Sequence, residues 1–457
     1  MKKTLILCLI SGFVLALTQC NKASFFSEDG FDERLAGGMA TVFDETSKAF
    51  THPVTGLTDR QKTVHELGDA AFEQTFVAAP APVNSGLGPV FNNVSCISCH
   101  HNDGKGTPTA GQTTSSLLVR LGIPGMDAWG GNLPVPGFGS QLQDLAILGK
   151  QPEATVNISY TEQTITYPDG SSASLRIPSY TFTNPYQPLP ANLLTSPRMA
   201  PPVFGVGLLQ NIPEATVLSF ADENDANGDG ISGRPNFVYN PQTGRTELGR
   251  FGLKANVSTL AIQVASAFNH DMGITNYIVP VESCAGQSQA DNLQDDPELP
   301  DSILNYVTFY VETLAVPARR NVTDPDVKAG GTLFKQINCS GCHKPVIQTG
   351  ADLSISALNN QRIQPFTDLL LHDMGEGLAD GRPDFRATGR EWRTAPLWGI
   401  GLFQKTNGTP FYLHDGRART IEEAILWHGG EAENSRNEFM HLPVADRNRL
   451  IKFIQSL

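Results

Sequence analysis

Cys96-Ile97-Ser98-Cys99-His100 and Cys339-Ser340-Gly341-Cys342-His343 are two copies of one pattern, C-x-x-C-H, in a chain of 457 residues. In this pattern two thiols add to the vinyl groups along one edge of a haem, while the adjacent histidine ligates the iron from one face. Edge and face together dictate the spacing and the order. The competing readings are a zinc knuckle, a dithiol redox site and a disulfide framework. Zinc asks for further cysteines or histidines close by, and a thioredoxin-like dithiol asks for a βαβ setting; neither accompanies these motifs. The pair therefore predicts two c-type haems, attached through Cys96, Cys99, Cys339 and Cys342, with His100 and His343 as iron ligands.

Working outward, the two motifs sit in similar surroundings. Gly331 to Asn338 reads as a short helix delivering the second motif, and Gly68-Asp69-Ala70-Ala71-Phe72 stands before the first, separated from it by a Pro/Gly-rich insertion. Each half closes with an amphipathic helix. Ile303, Tyr306, Val307, Tyr310, Val311 and Leu314 form one apolar stripe at helical spacing, and Leu450, Ile451, Ile454 and Leu457 form another. A closing helix laid on the helix before C-x-x-C-H looks like the core of small cytochromes c. The expected fold is mainly α: a cytochrome c-like domain over 21–320, and a second over 321–457 that follows a linker from Val316 to Pro325. About two hundred residues separate the first motif from its closing helix, so the first domain carries a large, loop-rich insertion. Val156, Ile158 and Tyr160, then Ile165 and Tyr167, alternate with polar residues before Pro168-Asp169-Gly170, and Leu175 and Ile177 follow, which predicts a β-hairpin.

The bulk numbers agree with small cores and long connections. Hydrophobic residues make up 40% and charged residues 17%, with 43 Gly and 31 Pro. At roughly 150 residues per domain the length suggests about three. Lys2 and Lys3 followed by a short apolar run from Leu5 to Leu17 read as an export signal over 1–20, too short for a comfortable membrane span. Cys20 closes it as in the lipid-attachment sites of bacterial lipoproteins, although Gln19 stands where those sites carry a small residue; an ordinary cleaved signal is the competing reading. The expected location is periplasmic, held to a membrane through Cys20 alone. Without its two signal lysines the chain has 31 basic against 46 acidic residues, a formal charge of −15. That balance argues against nucleic acid and favours a basic protein partner. Cys284 stands alone and reads as a partly buried thiol without a role.

Six further blocks carry a family resemblance: Gly86-Leu87-Gly88-Pro89, Ala200-Pro201-Pro202 through Gly205, Gly228 through Arg234, Asp271-Met272-Gly273-Ile274-Thr275, His372-Asp373-Met374-Gly375, and His414-Asp415-Gly416-Arg417-Ala418-Arg419-Thr420 through His428-Gly429-Gly430. With the two haem motifs they resemble the bacterial dihaem cytochrome c peroxidase superfamily, and within it the dihaem oxidoreductase family of peroxidases and thiol oxidoreductases. The resemblance implies an N-terminal haem at which hydrogen peroxide reacts and a C-terminal haem that relays electrons from a small donor protein of cytochrome or cupredoxin type. A thiol activity finds no separate support, since haem attachment would consume the paired cysteines.

The resemblance also suggests ligands. Peroxidases of the superfamily place a methionine three residues after Glu-Ala-Val; here Glu423-Ala424-Ile425 leads to Leu426-Trp427-His428, so His428 takes the ligand position, with Met374 and Met440 as competitors. Imidazole in place of thioether favours ferric iron and lowers the potential. Peroxide cleavage needs an open iron and a group that moves a proton. Gln263, His270 and Asp271 lie where the superfamily carries a glutamine and a glutamate, at shorter spacing. Asp271 is the candidate acid/base, and a helix cap or a structural ion pair is the alternative. Arg198 is either a partner of a haem propionate or a plain surface arginine. Asp225, Asn227, Asp229 and Ile231 resemble the first half of a calcium loop, but Asn236 stands where the bidentate glutamate belongs, and an Asx-turn loop is the alternative. Trp129, Trp392, Trp398 and Trp427 are candidates to lie between the haems or are simply core. The function expected is a dihaem peroxidase-like enzyme; the alternatives are a two-haem electron carrier without catalysis and a dihaem oxidase that modifies a partner protein.

Overall fold

Two helix crossings organise the chain, and a glycine makes each one possible. The structure, a computed structural model, describes residues 25, 27, 30–291, 293, 295–351, 354–408 and 410–457. Six of its eleven helices position the site: α1 (Asp59–Glu73), α2 (Leu260–Met272), α3 (Asp301–Glu312), α4 (Pro325–Gln336), α5 (Ile421–Leu426) and α6 (Val444–Ser456). Thr58 and Gln61 start α1 with a reciprocal capping box. Asp324 caps α4, accepting from Asp326 N at 2.8 Å, with Pro325 in the first turn.

α1 lies across α3 where Gly68 faces the backbone of Tyr306; a Cβ on Gly68 would stand 2.2 Å from the Tyr306 carbonyl oxygen. α4 lies across α6 in the same manner, and a Cβ on Gly330 would stand 2.0 Å from the Arg449 carbonyl oxygen. Each motif thus follows a helix that is crossed by the closing helix of its half. The predicted stripes are buried for the most part, Leu314 and Leu457 included, with the stripe edges at Ile303, Tyr306 and Ile451 only half-buried. Leu304, Val307, Tyr310 and Val311 are buried on α3 while Ile303 is half-buried, and Leu450, Phe453 and Ile454 are buried on α6 while Ile451 is half-buried.

The expectation of a mainly α protein is wrong: helix accounts for only 28% of the chain and strand for 20%, in several small sheets. The region between the first motif and α3 makes most of the difference. There β1 (Leu117–Met126) and β4 (Leu194–Met199) stand where loop was expected, beside β2 (Thr155–Thr166) and β3 (Ser172–Thr183). β1 pairs antiparallel with β4, placing Leu118 opposite Arg198 and Arg120 opposite Ser196. Leu117, Val119 and Leu121 on one face of β1 bury a small separate core with Phe138 and Leu142, so Leu118 and Arg120 must face the other way.

The predicted hairpin is present as β2 and β3, paired from Thr155–Thr183 to Thr166–Ser172 around Gly170, whose φ is +86°. Its tip reaches the C-terminal half. Asp169 pairs with Arg447 of α6 at 2.7 Å, Tyr167 OH donates to Glu422 of α5 at 2.5 Å, and Glu162 pairs with Arg419 at 2.8 Å. The stretch read as a linker is also tied down. Val316 and Pro317 pair in parallel with Thr41 and Val42, and Arg319 and Arg320 are buried. The signal residues 1–20, with Cys20, lie outside the described residues. No helix among the described residues is long and apolar enough to cross a membrane.

Candidate active site

Both C-x-x-C-H motifs open into one cavity of about 800 Å³. Cys96, Cys99 and His100 line one part of it, and Cys339, Cys342 and His343 line another. None of these cysteines is in a disulfide. Three histidines in the lining share one geometry: Nδ1 lies 2.7 Å from Pro201 O in His100, 2.8 Å from Phe366 O in His343, and 2.7 Å from Ala424 O in His428. A carbonyl only accepts, so Nδ1 carries the proton in each ring and the Nε2 lone pair is left free. Burial pushes the pKa of His100 and His343 down to about 4 and lowers that of His428 as well, which favours the neutral form that an iron-binding imidazole requires. The remaining wall is largely apolar, with Leu117, Val264, Phe334 and Ile421 among its residues. Paired thiols, neutral imidazoles with a free Nε2 and an apolar wall fit a haem at each motif.

α2 forms the wall near the first motif. Thr259 caps its start, accepting from Ile262 N at 3.4 Å, and Gly273, at φ +70°, ends it. Between these ends Gln263, Ala267, His270 and Asp271 fall on one helical face and line the cavity together. The Asp271 carboxyl is tied down by Gln141, whose Nε2 lies 2.8 Å from Oδ1, and burial raises its pKa. Gln141 also donates to Asn92 Oδ1 at 2.7 Å. Burial and then Arg120 push the pKa of His270 down to about 3, so its ring is neutral. Gln263 Oε1 is buried without a hydrogen-bond partner among the described residues.

His428 follows α5, which Thr420 caps by accepting from Glu423 N at 3.0 Å. Met374 lines the cavity too, whereas Met440 packs in the core away from the lining. Beside the second motif, His372 is held between Asp368 at 2.9 Å and Glu431 at 2.7 Å, with its Nδ1 3.4 Å from Cys342 Sγ. Burial opposes charging of this ring, but Cys342, Asp368 and Glu431 hold its pKa well above the ordinary value. Cys342, Asp368 and His372 bring their ligand atoms within 4.8 Å of one another, so a metal ion could be held there if the thiol were not taken by haem.

Other predicted residues are scattered. Trp392 and Trp398 line the cavity; Trp427 is core, beneath the Arg417 guanidinium; Trp129 is 60% exposed and stacked on Tyr239. In the 225–232 loop the side chains turn onto the loop's own backbone: Asp225 accepts from Gly230 N at 3.1 Å, Asn227 from Asp229 N at 2.8 Å, and Asp229 from Ile231 N at 3.0 Å. Ile231 lines the cavity, and Ser232 donates to Glu431 through N and Oγ, both at 3.0 Å, so the loop braces the His372 pair. Cys284 is buried, with Sγ 3.5 Å from Glu282.

The family model described as "Di-haem oxidoreductase, putative peroxidase" matches residues 31–457, nearly the whole described chain. The chain belongs to the di-haem oxidoreductase family. As a di-haem oxidoreductase it uses haem as cofactor, in keeping with a cavity that two C-x-x-C-H motifs share. No curated protein matches it. Among solved structures it is similar to hydrazine synthase of Kuenenia stuttgartiensis, pressurized with xenon, at 14% identity over 89% of this chain and 93% of that one, with a TM-score of 0.37. A likeness that low carries no argument about fold or chemistry.

Residue spacing missed several parts of this di-haem oxidoreductase site. Gln141, Arg120, Arg382, Asp384 and the Asp368/Glu431 pair around His372 approach it from remote positions in the chain. His372 stood in a block read only for its resemblance. The others carry no local signal, because a single arginine or glutamine in a strand or loop reads as surface.

Proposed function

We propose that the chain is an exported, periplasmic dihaem c-type oxidoreductase of the peroxidase type, with electrons arriving at the His343 site and hydrogen peroxide reacting at the His100 site. The observation that carries this reading is an asymmetry within one cavity. His343 is accompanied by a second imidazole, His428, with the same Nδ1 to carbonyl tie, whereas His100 shares its part of the cavity with Gln263, His270 and Asp271. Two imidazoles suit an iron that only passes electrons, and proton-handling side chains suit one that does chemistry.

Haem attached through the cysteine pairs supplies the electrons and an open coordination position. The side chains of the chain do the rest. Asp271, steadied by Gln141, moves a proton from one peroxide oxygen to the other. Gln263 offers a free carbonyl oxygen to a peroxide O–H, and His270, neutral at pH 7, adds a second polar group. Hydrogen peroxide takes up two electrons and two protons and leaves as two waters. The acidic balance of the chain suits a small basic electron donor of cytochrome or cupredoxin type. A lipid at Cys20 would keep the protein at a membrane. Calcium in the Asp225–Ile231 loop is a separable part of the reading: it requires Tm to rise when calcium is returned to chelator-treated protein, and an unchanged Tm removes it.

Intact mass, ferric spectra and peroxide turnover test the whole. The expected results are two added tetrapyrroles, one high-spin and one low-spin haem, and loss of the low-spin signal at the second motif in His428→Ala. Two low-spin, peroxide-inert haems would make the protein an electron carrier. Oxidation confined to residues of a partner protein would make it a modifying oxidase.

A further inference from the structure

Three arginines from distant parts of the chain meet in the cavity wall. Arg120 on β1 and Arg198 on β4 project from the same face of their sheet, because Arg198 stands opposite Leu118 and Arg120 opposite Ser196. Arg382 comes from the C-terminal half and is anchored by Nε, which donates to Leu121 O at 3.0 Å. All three line the cavity. One carboxylate answers them: Asp384 lies 2.8 Å from Arg198 Nη2 and 3.1 Å from Arg382 Nη1. Arg198, Arg382 and Asp384 are 6%, 4% and 6% exposed, and Arg120 is half-buried where it faces the cavity.

Arg120 faces the cavity with no carboxylate at ion-pair distance among the described residues; its nearest polar contact is His270 Nδ1 at 3.4 Å. Burial pushes its pKa down to about 10, and Arg198 and Arg382 push the same way, against Asp271 and Asp384. Asp271 also pulls on Arg120, but from beyond ion-pair distance. Lys254, nearby, is already matched by Asp380 at 2.7 Å. Three guanidinium groups against one carboxylate at ion-pair distance leave an excess of positive charge in the cavity wall. Charge held out of water without a partner is costly, so such a group favours an anion. The planar fork of a guanidinium is suited to bind a carboxylate with two parallel hydrogen bonds.

We propose that Arg120, Arg198 and Arg382 form a carboxylate receptor in the cavity wall beside His270, with Asp384 as the positioning residue that holds two of the forks. The carboxylate has two sources: a propionate of the haem held at His100, which rests on the haem reading above, or a free organic acid. In either case the receptor is built from both halves of the chain, so a charge in the C-terminal segment bears on the chemistry at the first motif.

The test compares wild type, Arg120→Gln and Arg120→Lys by redox titration resolved for the two haems, and by optical titration with succinate. A propionate in the receptor predicts a lower potential for the haem at His100 in Arg120→Gln, most of it recovered in Arg120→Lys, and no response to succinate. A free acid in the receptor predicts an unmoved potential, saturable succinate binding in wild type, and binding at least tenfold weaker in Arg120→Gln. An unmoved potential with no succinate response overturns the receptor. If Arg120→Gln does not fold, Arg198→Gln is read in the same way. Intact mass separates this inference from the haem reading. Should the first motif carry no tetrapyrrole, that reading fails on its own, and calorimetric titration of the full chain with succinate decides the receptor: binding lost in the variant supports it, and absence of binding in wild type overturns it.

Discussion

The indole of Trp392 lies face to face with the imidazole of His414, ring centroids 3.8 Å apart and planes 12° from parallel. Trp392 is held in place by its Nε1, which donates to Leu378 O at 2.8 Å, and the Lys254 ammonium lies 4.6 Å from its ring centroid. Both rings line the cavity. The His-Asp-Gly block, the most specific stretch of sequence after the haem motifs, therefore supplies a wall of the site. Its Asp415 also pairs with Arg417 at 2.9 Å and accepts from Tyr180 of β3 at 3.0 Å.

His414→Ala should destabilise the protein by about 2–3 kcal/mol, from the lost stack together with the space left in a buried wall. His414→Phe should restore most of it. Burial holds the pKa of His414 down at about 4, below its ordinary 6.5. The unfolded chain then binds the proton first as pH falls, so the contribution is complete above about 6.5 and is lost as pH falls toward 4. Urea denaturation between pH 4 and 7 checks both, and a pH dependence unchanged in His414→Phe would refute the second.

Glu153 carries the opposite sign. It is fully buried, accepting from Gln143 N and Gln287 Nε2, each at 2.7 Å, and burial pushes its pKa up to about 8. The folded chain keeps the proton that the unfolded chain has lost, so this contribution is present below about 4.5 and is lost as pH climbs through 8. One pKa unit corresponds to about 1.4 kcal/mol. The fall in Tm from pH 5 to 8 should be clearly shallower in Glu153→Gln than in wild type.

Gly68→Ala and Gly330→Ala should each cost about 2–3 kcal/mol, since a methyl group at either crossing would meet a backbone carbonyl and force the helices apart. Thermal unfolding reads the loss. An alanine tolerated at either position with unchanged Tm would show that the crossing is looser than described.

Asp271→Asn should lower kcat for peroxide reduction by about 100-fold or more, the usual worth of a proton-moving group. Gln141→Leu should act more subtly. Donation from Gln141 favours the ionised carboxylate, so its loss raises the pKa of Asp271 further and moves the acid limb of kcat/KM to higher pH. A limb that stays in place would separate Gln141 from the chemistry.

The two C-x-x-C-H motifs, the C-terminal helix and the hairpin around Gly170 were legible in residue order, because thioether chemistry, apolar periodicity and strand alternation act over a few neighbouring residues; the helix before the second motif was read from Gly331 and starts at Pro325. The apolar stripes were legible too: Val307, Tyr310, Val311 and Leu314 are buried as read, and so are Leu450, Ile454 and Leu457. The balance of helix and strand was not, because β1 and β4 gain their partners from each other across some seventy residues and neither advertises the other. Nor were the site walls. Arg120, Arg198 and Arg382, or His372 between Asp368 and Glu431, become meaningful only when folding removes them from water and leaves each charge to find its partner at hydrogen-bond distance. Which chemistry the chain carries was written locally; which side chains surround it was settled by long-range burial.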